Sequence, residues 1–571
     1  MRDTKKHRAG VVAILALIVT SILIYGCQTD FFKIKIKIIN ILTTEGNSIN
    51  AKVYIPEDAS PENRKATIIT TGGGDNEYVM VDMINTELSR RGYVVVSYSP
   101  YNHGTSDIIA TDDYGASEVI QYVKTLGFVD SSNIGVMGHS RAAANTLKTV
   151  YPGCQVKAVL SIEYVPELNA LHDYDSDTAI NIGLIGNRYN EYVTDPLGFL
   201  TSEELMKTFG TTEIMPDTEY GNIAKSTFRK VYLVNSTDTG YAFSQKVIED
   251  IIDFFDTTLQ SPEVTESRGY IWKYIEILSL IALLSMFVMV LELMNWLTKR
   301  IIGKITQASS LNVLYSNEEK RHSRLLMYGG ILTGAVSYIP LYMLGKRILS
   351  ANIIFPQNST NGQLIWAFFM SLTEAGIILF CRKKKNLSPI PLDEMILAQT
   401  KEIIKYFCIA ALTFVSVYIT LLIKRGFWGQ TYNFLGLNLS VINCRKLLAG
   451  TTYWPVFAVY FMISGIYQIR FCSFDTENKG RDIWNGILFQ TLGMLGLLLV
   501  KLSGFLFCGR ALFHWGRFAF GPINYMIFML PFVGIVNSIS YRRTGKIYLG
   551  AFMNAFLFTW LFLSCNAFYY S

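Results

Sequence analysis

Charge is scarce in this 571-residue chain: Asp, Glu, Lys and Arg make up 17% of it, against 50% hydrophobic residues. Ordinary globular chains carry about 25% charged residues, so part of this one belongs in lipid. Cysteine is scarce where an exported domain would use it. Eight are present, yet only Cys154 lies between residues 30 and 269. That excludes a disulfide framework there and asks for a core large enough to hold without one. Histidine is rarer still, with six in the chain and none between His172 and His322. The formal charge of +6 comes from basic clusters beside apolar runs, which points to topology and not to a nucleic-acid partner.

What is abundant is long apolar sequence. Arg2, Lys5, Lys6 and Arg8 precede a run from about Gly10 to Gly26, the pattern of a signal anchor. Cys27 ends that run in a context resembling a lipoprotein cleavage box, but the bulky Tyr25 departs from it and retention as a helix is expected. Eight further runs, near 274–296, 325–345, 363–380, 405–423, 450–469, 484–507, 518–537 and 548–568, are each long enough to cross about 30 Å of hydrocarbon. With nine crossings and a cytoplasmic N-terminus, one side collects Lys299, Arg300, Arg321, Arg324, Arg382, Arg542 and Arg543. The excess of basic residues on that side places residues 30 to 270, and the C-terminus, outside.

Between the first span and the second, Lys33-Ile34-Lys35-Ile36-Lys37-Ile38 alternates with period two, and short apolar strands then alternate with helical segments. This predicts a mostly parallel sheet flanked by helices and entered through a hairpin. The expected organisation is an anchor at 1–28, an α/β domain at 29–260, an acidic linker at 261–270 and an all-α bundle of eight spans at 271–571.

The strand Asn133 to Met137 runs into Gly138-His139-Ser140-Arg141-Ala142 and a helix of small residues. A sharp strand-to-helix turn around a strained serine needs small residues at 138 and 142, and the segment resembles the nucleophile elbow of the α/β-hydrolase family. Ala142 stands where that family commonly has a second glycine. Other landmarks follow in the family's order. A strand from Ala66 ends in Gly72-Gly73-Gly74, similar to the loop that supplies one oxyanion-hole amide, with Arg141 supplying the other. The strand Tyr93 to Tyr98 leads to His103-Gly104-Thr105-Ser106-Asp107, similar to the loop after the family's fourth strand. The resemblance covers about residues 40 to 258 and implies ester or amide hydrolysis by Ser140 without a cofactor or a metal.

Two later positions depart from the family. Its acid is expected near Asn190, which carries no charge, although Glu191 follows. Its histidine is expected in the loop after Lys230 to Val234, where Asp238 stands instead. Three readings stay open: a domain that binds a ligand or partner without catalysis, Asp238 as a carboxylate base, or His103 or His172 arriving from another loop. His172 lies in an acidic turn, and residues 187 to 226 read as a lid over an apolar ligand, a lipid, peptide or small molecule. In the bundle, Glu374 interrupts an apolar span and marks a site by default. The composition names no oligomeric state and no transporter motif. The competing class is a non-enzymatic sensor or transport component with a hydrolase-like outer domain.

Overall fold

A computed structural model describes residues 8–73, 77–150, 153–164, 168, 170–259, 269–303, 315–383, 390–474 and 478–569. Most of the expected linker lies outside them. The chain opens with α1 (Arg8–Gln28), which is helical through Cys27, and continues into strands β1 (Ile34–Leu42) and β2 (Ser48–Pro56). Strands β3 (Lys65–Thr71), β4 (Val94–Tyr98), β5 (Val129–His139), β6 (Ala158–Ile162), β7 (Asn181–Asn187), β8 (Glu219–Tyr220) and β9 (Arg229–Val234) complete one sheet in the order 1-2-4-3-5-6-7-9-8. Between them run α2 (Asp82–Ser89), α3 (Ala116–Lys124), α4 (Arg141–Val150), α5 (Glu203–Phe209) and α6 (Gln245–Leu259).

The isoleucine-lysine alternation gives β1 a buried and an exposed face, and it pairs antiparallel with β2 from Ile34 opposite Pro56 to Leu42 opposite Ser48. Strands β3, β4, β6 and β7 are buried along their whole length. From β4 through β3, β5, β6 and β7 to β9 every neighbouring pair is parallel, and β4 meets β2 antiparallel. Helices cover both faces of such a sheet, so its strands read as continuous apolar runs. β5 sits at the centre of the order, which puts its C-terminal end, and Ser140 after it, at the middle of one edge of the domain.

The rest is helical: α7 (Trp272–Ile301), α8 (Asn317–Ile348), α9 (Asn358–Lys383), α10 (Leu392–Ile396), α11 (Thr400–Trp428), α12 (Cys444–Cys472), α13 (Lys479–Cys508), α14 (Phe520–Met526), α15 (Leu530–Thr544) and α16 (Tyr548–Cys565). Eight described helices, α1 among them, are long and apolar enough to cross a membrane, as in a multi-pass membrane protein. Their outer faces are apolar in the way lipid requires: Leu332 and Val336 on α8 are 64% and 68% exposed. The run at 518–537, expected as one span, falls in a bent pair of helices. Residues His514–Met526 and Leu530–Thr544 meet at 53°. Pro531 explains the break, since it lacks an N–H and is suited to the first turn of α15 and not to a helix interior.

The two parts share an extensive contact. The turn from Gly269 into α7 is held by Glu87, whose Oε1 accepts the amides of Ile271 at 2.8 Å and Trp272 at 3.0 Å. Between α11 and α12, a hairpin of β10 (Tyr432–Phe434) and β11 (Leu437–Leu439) reaches into the α/β domain. There Asn438 donates to Glu77 Oε1, and Asn433 donates to the carbonyl of Val79 at 3.3 Å. The aromatic segment from Gly426 to Asn438 is thus a docking element.

Candidate active site

β5 ends at His139 and α4 begins at Arg141, so a single residue, Ser140, makes the turn. Its φ of 54° lies in the left-handed region, which a residue with a Cβ occupies only when its surroundings hold it there. Two bonds do so: the Ser140 amide donates to Ile162 O at 2.8 Å, and its carbonyl accepts from Ala144 N at 3.2 Å. Gly138 is required by the bend, because a Cβ there would lie 2.7 Å from the carbonyl oxygen of Ala142. Gly73 is required by the loop opposite, where a Cβ would lie 2.3 Å from the carbonyl oxygen of His139. Gly74, the other candidate oxyanion residue, lies outside the described residues.

Ser140 lines a cavity of about 470 Å³ together with Gly73, His139, Arg141, Asp238 and Tyr241. His139 Nε2 lies 3.3 Å from Asp238 Oδ2, and its ring stacks on Tyr241 with centroids 3.9 Å apart and planes 12° apart. Both members of the pair are buried. The imidazole that lines the cavity with Ser140 thus belongs to the residue before it in sequence, and the carboxylate 3.3 Å from that ring, a proximity without a hydrogen bond, comes from the loop after β9.

His103 and His172 do not reach this cavity. His103 is buried in a separate crevice of about 20 Å³, its Nδ1 2.8 Å from Tyr101 O and its ring edge-on to Tyr114. His172 is exposed on the surface, where its carbonyl accepts from Lys207.

Asn190 and Glu191, expected near the acid position, lie in two separate hydrogen-bond clusters. Asn190 donates through Nδ2 to Glu163, which also accepts from the Asn187 amide at 2.9 Å. Glu163, at the end of β6 with a φ of 59°, was not singled out by the sequence pattern. A carboxylate one residue past a buried strand was the available signal. Glu191 caps the loop that carries Asp238: its Oε2 accepts from the Asp238 amide at 2.7 Å and its Oε1 from the Thr239 hydroxyl at 2.7 Å. Burial and the neighbouring Asp238 push the carboxyls of both Glu163 and Glu191 up, while Lys501 of α13 partly offsets this at Glu191. Lys501 is itself buried, with its ammonium 5.0 Å from the Tyr192 ring centroid and 4.3 Å from that of Phe520.

Raised carboxyls bind protons that the unfolded chain has already released, so stability falls as pH rises from the ordinary carboxyl range, about 4.3, to the raised folded value. Glu163→Gln removes one of these protons from the balance. A series of thermal midpoints from about pH 4.5 to about pH 8.5 is expected to slope less steeply downward in Glu163→Gln than in the parent protein. Equal slopes would place the titration elsewhere.

Residues 187 to 226 do not form the lid over this cavity. Phe199 and Leu205 pack into the core, and only Tyr192 of that segment faces Ser140. The cover comes from the bundle, whose Leu435, Gly436, Phe518, Tyr525 and Asn566 line the far wall.

No protein-family model matches the chain. The uncharacterized protein YcjY of Escherichia coli (strain K12) is 27% identical over 129 residues, which is 21% of this chain and 41% of that protein. The chain thus spans under half the length of this curated relative. Among solved structures, the hypothetical protein PA2218 of Pseudomonas aeruginosa is 13% identical, with 39% of this chain and 94% of that one covered at a TM-score of 0.30. The Pyrococcus furiosus esterase Pf2001 is 13% identical, covering 40% and 92% at 0.30. Thermogutta terrifontis esterase 2 is 15% identical, covering 38% and 91% at 0.29. The structural neighbours of the N-terminal domain thus include esterases.

Proposed function

We propose that this is a membrane-bound serine hydrolase of the α/β-hydrolase class, with Ser140 as nucleophile and the His139–Asp238 pair as its proton acceptor. The observation that carries the reading is that pair, 3.3 Å apart and lining the same cavity as a serine held at a φ of 54°. Sheet order, central position of β5 and the one-residue turn support the class. An imidazole changes charge near neutral pH, which suits a base, and a buried carboxylate orients it and stabilises the imidazolium.

In the reaction, Ser140 Oγ attacks the carbonyl carbon of an ester or amide while its proton passes to His139. Negative charge on the carbonyl oxygen meets the backbone amides of Arg141 and of the loop after β3. The tetrahedral intermediate expels the alcohol or amine, which takes the proton from His139. Water then attacks the acyl-serine with His139 again as base. Residues 29–260 act on the outer side of the membrane, a placement supported by the basic residues gathered at the bundle's opposite end, where Arg542 pairs with Asp482.

The test is covalent capture in the full-length protein. A fluorophosphonate is expected to label Ser140, identified by peptide mass, and Ser140→Ala to stay unlabelled. A parent protein that takes no label between about pH 6 and about pH 9 would sink the hydrolase reading in favour of ligand binding.

A further inference from the structure

The bundle buries a carboxylate that plays no part in the Ser140 cavity. Glu374 of α9 is 2% exposed, and its Oε2 has no hydrogen-bond partner. No Lys or Arg pairs with it among the described residues. The side chain opens on a cavity of about 40 Å³, roomy enough for water. α8 presents Gly330 and Gly334 to that cavity and α13 presents Phe489 and Gly493, none of them titratable. The titratable groups in its field are Tyr460, Tyr467 and Cys472, all on α12.

Gln490 lines the same cavity and begins a continuous chain of amides. Its Nε2 donates to Ser464 Oγ at 3.3 Å and to Gln468 Oε1 at 3.1 Å. Gln468 Oε1 also accepts from Asn537 Nδ2 at 3.0 Å, and Asn537 Oδ1 accepts from Asn554 Nδ2 at 2.9 Å. The chain crosses from α13 through α12 and α15 to α16, where Asn554 Oδ1 has no partner. A chain ending in an unused acceptor has room to rearrange.

We propose that Glu374 is a reversible proton-binding site of the bundle, and that the Gln490–Gln468–Asn537–Asn554 chain responds to its change of charge. The neutral acid fits the cavity as it stands. An ionised carboxylate in an apolar surrounding needs a donor, and the Gln490 amide is a donor lining the same cavity. Recruiting Gln490 Nε2 takes it from Gln468 Oε1. Gln468 Nε2 stays on Gly534 O at 2.9 Å and Ser538 Oγ at 3.0 Å, so the change passes through Gln468 Oε1 to Asn537. The chain ends on α16, whose last turn reaches Cys565 and Asn566 on the wall of the Ser140 cavity. A proton, and not a metal cation, is the ligand, because the Glu374 cavity offers few oxygen atoms beyond Ser464, Tyr460 and Gln490, short of the six or so that hard cations collect.

The test is an infrared pH titration of the full-length protein in phosphatidylcholine and phosphatidylglycerol vesicles. The protonated-carboxyl C=O band is expected to lose one component as pH rises from about 5 to about 10, and that component is absent in Glu374→Gln. Gln490→Leu is expected to move its midpoint by about one pH unit toward alkaline, because the donor to the ionised form is gone. A band in the parent protein that never titrates, a titration unchanged in Glu374→Gln, a midpoint unmoved in Gln490→Leu or a midpoint that follows sodium concentration would each overturn the proposal. Folding of each variant is read independently from its size-exclusion profile, and a Glu374→Gln protein that aggregates leaves the Gln490→Leu midpoint to decide.

Discussion

Replacing His139 by asparagine is expected to slow fluorophosphonate labelling of Ser140 by about 10²- to 10⁴-fold, the range general-base catalysis contributes. Asparagine keeps the size and part of the hydrogen bonding of the ring but takes no proton at neutral pH. Asp238→Asn is expected to fall in the same range, because the imidazole 3.3 Å away loses the charge that orients it and stabilises its cationic form. The double substitution is expected to be little worse than either single one, since members of such a unit fail together. Stopped-time labelling followed by in-gel fluorescence measures all three. Full-rate labelling in Asp238→Asn would mean that His139 acts without it, and full-rate labelling in His139→Asn would remove the proposed base.

Glu87→Ala is expected to cost about 3–5 kcal/mol of stability, the usual consequence of removing one partner from a buried ion pair. Glu87 is fully buried, and its Oε2 lies 3.1 Å from Arg90 and 3.0 Å from Arg91. Its other oxygen accepts the amides of Ile271 and Trp272 at the start of α7. Arg90 in turn reaches Asp30 just past α1 at 3.2 Å, and the carbonyl of Gly269 at 2.8 Å. One carboxylate therefore ties together α2 and both places where the α/β domain joins a membrane helix. Removing it leaves Arg90 with Asp30 as its remaining carboxylate, takes the carboxylate from Arg91 and orphans two helix amides. The thermal midpoint of the detergent-solubilised protein, followed by fluorescence-detected size exclusion, is expected to drop sharply in Glu87→Ala and less in Glu87→Gln, which keeps an acceptor. Equal midpoints for Glu87→Ala and the parent would show that the junction is held elsewhere.

The sequence carried the elements whose signals are local. The lysine-isoleucine alternation marked β1, the apolar runs marked helices long enough to cross a membrane, and small residues marked the segment around Ser140, whose φ is 54°. What it hid was pairing across distance. His139 was visible as part of the turn, but nothing local says that its ring faces Asp238, almost 100 residues on. The readable signals were two residues far apart, Asp238 in the loop after β9 and a histidine directly before the serine. Glu163 was hidden for the same reason, since its importance comes from Asn187 and Asn190, on the next strand and its loop. The break at Pro531 was legible from the proline itself. Reading hydropathy alone joined the two halves into one span.

The hairpin turn at Leu435 and Gly436 is part of the wall around Ser140, although it belongs to a stretch of chain inserted between two membrane helices. That placement makes the wall of the cavity a joint product of both parts of the chain. Anything seated beside Ser140 therefore touches the hairpin and the bundle as well as the α/β domain, and cutting the α/β domain free would strip away half of its enclosure.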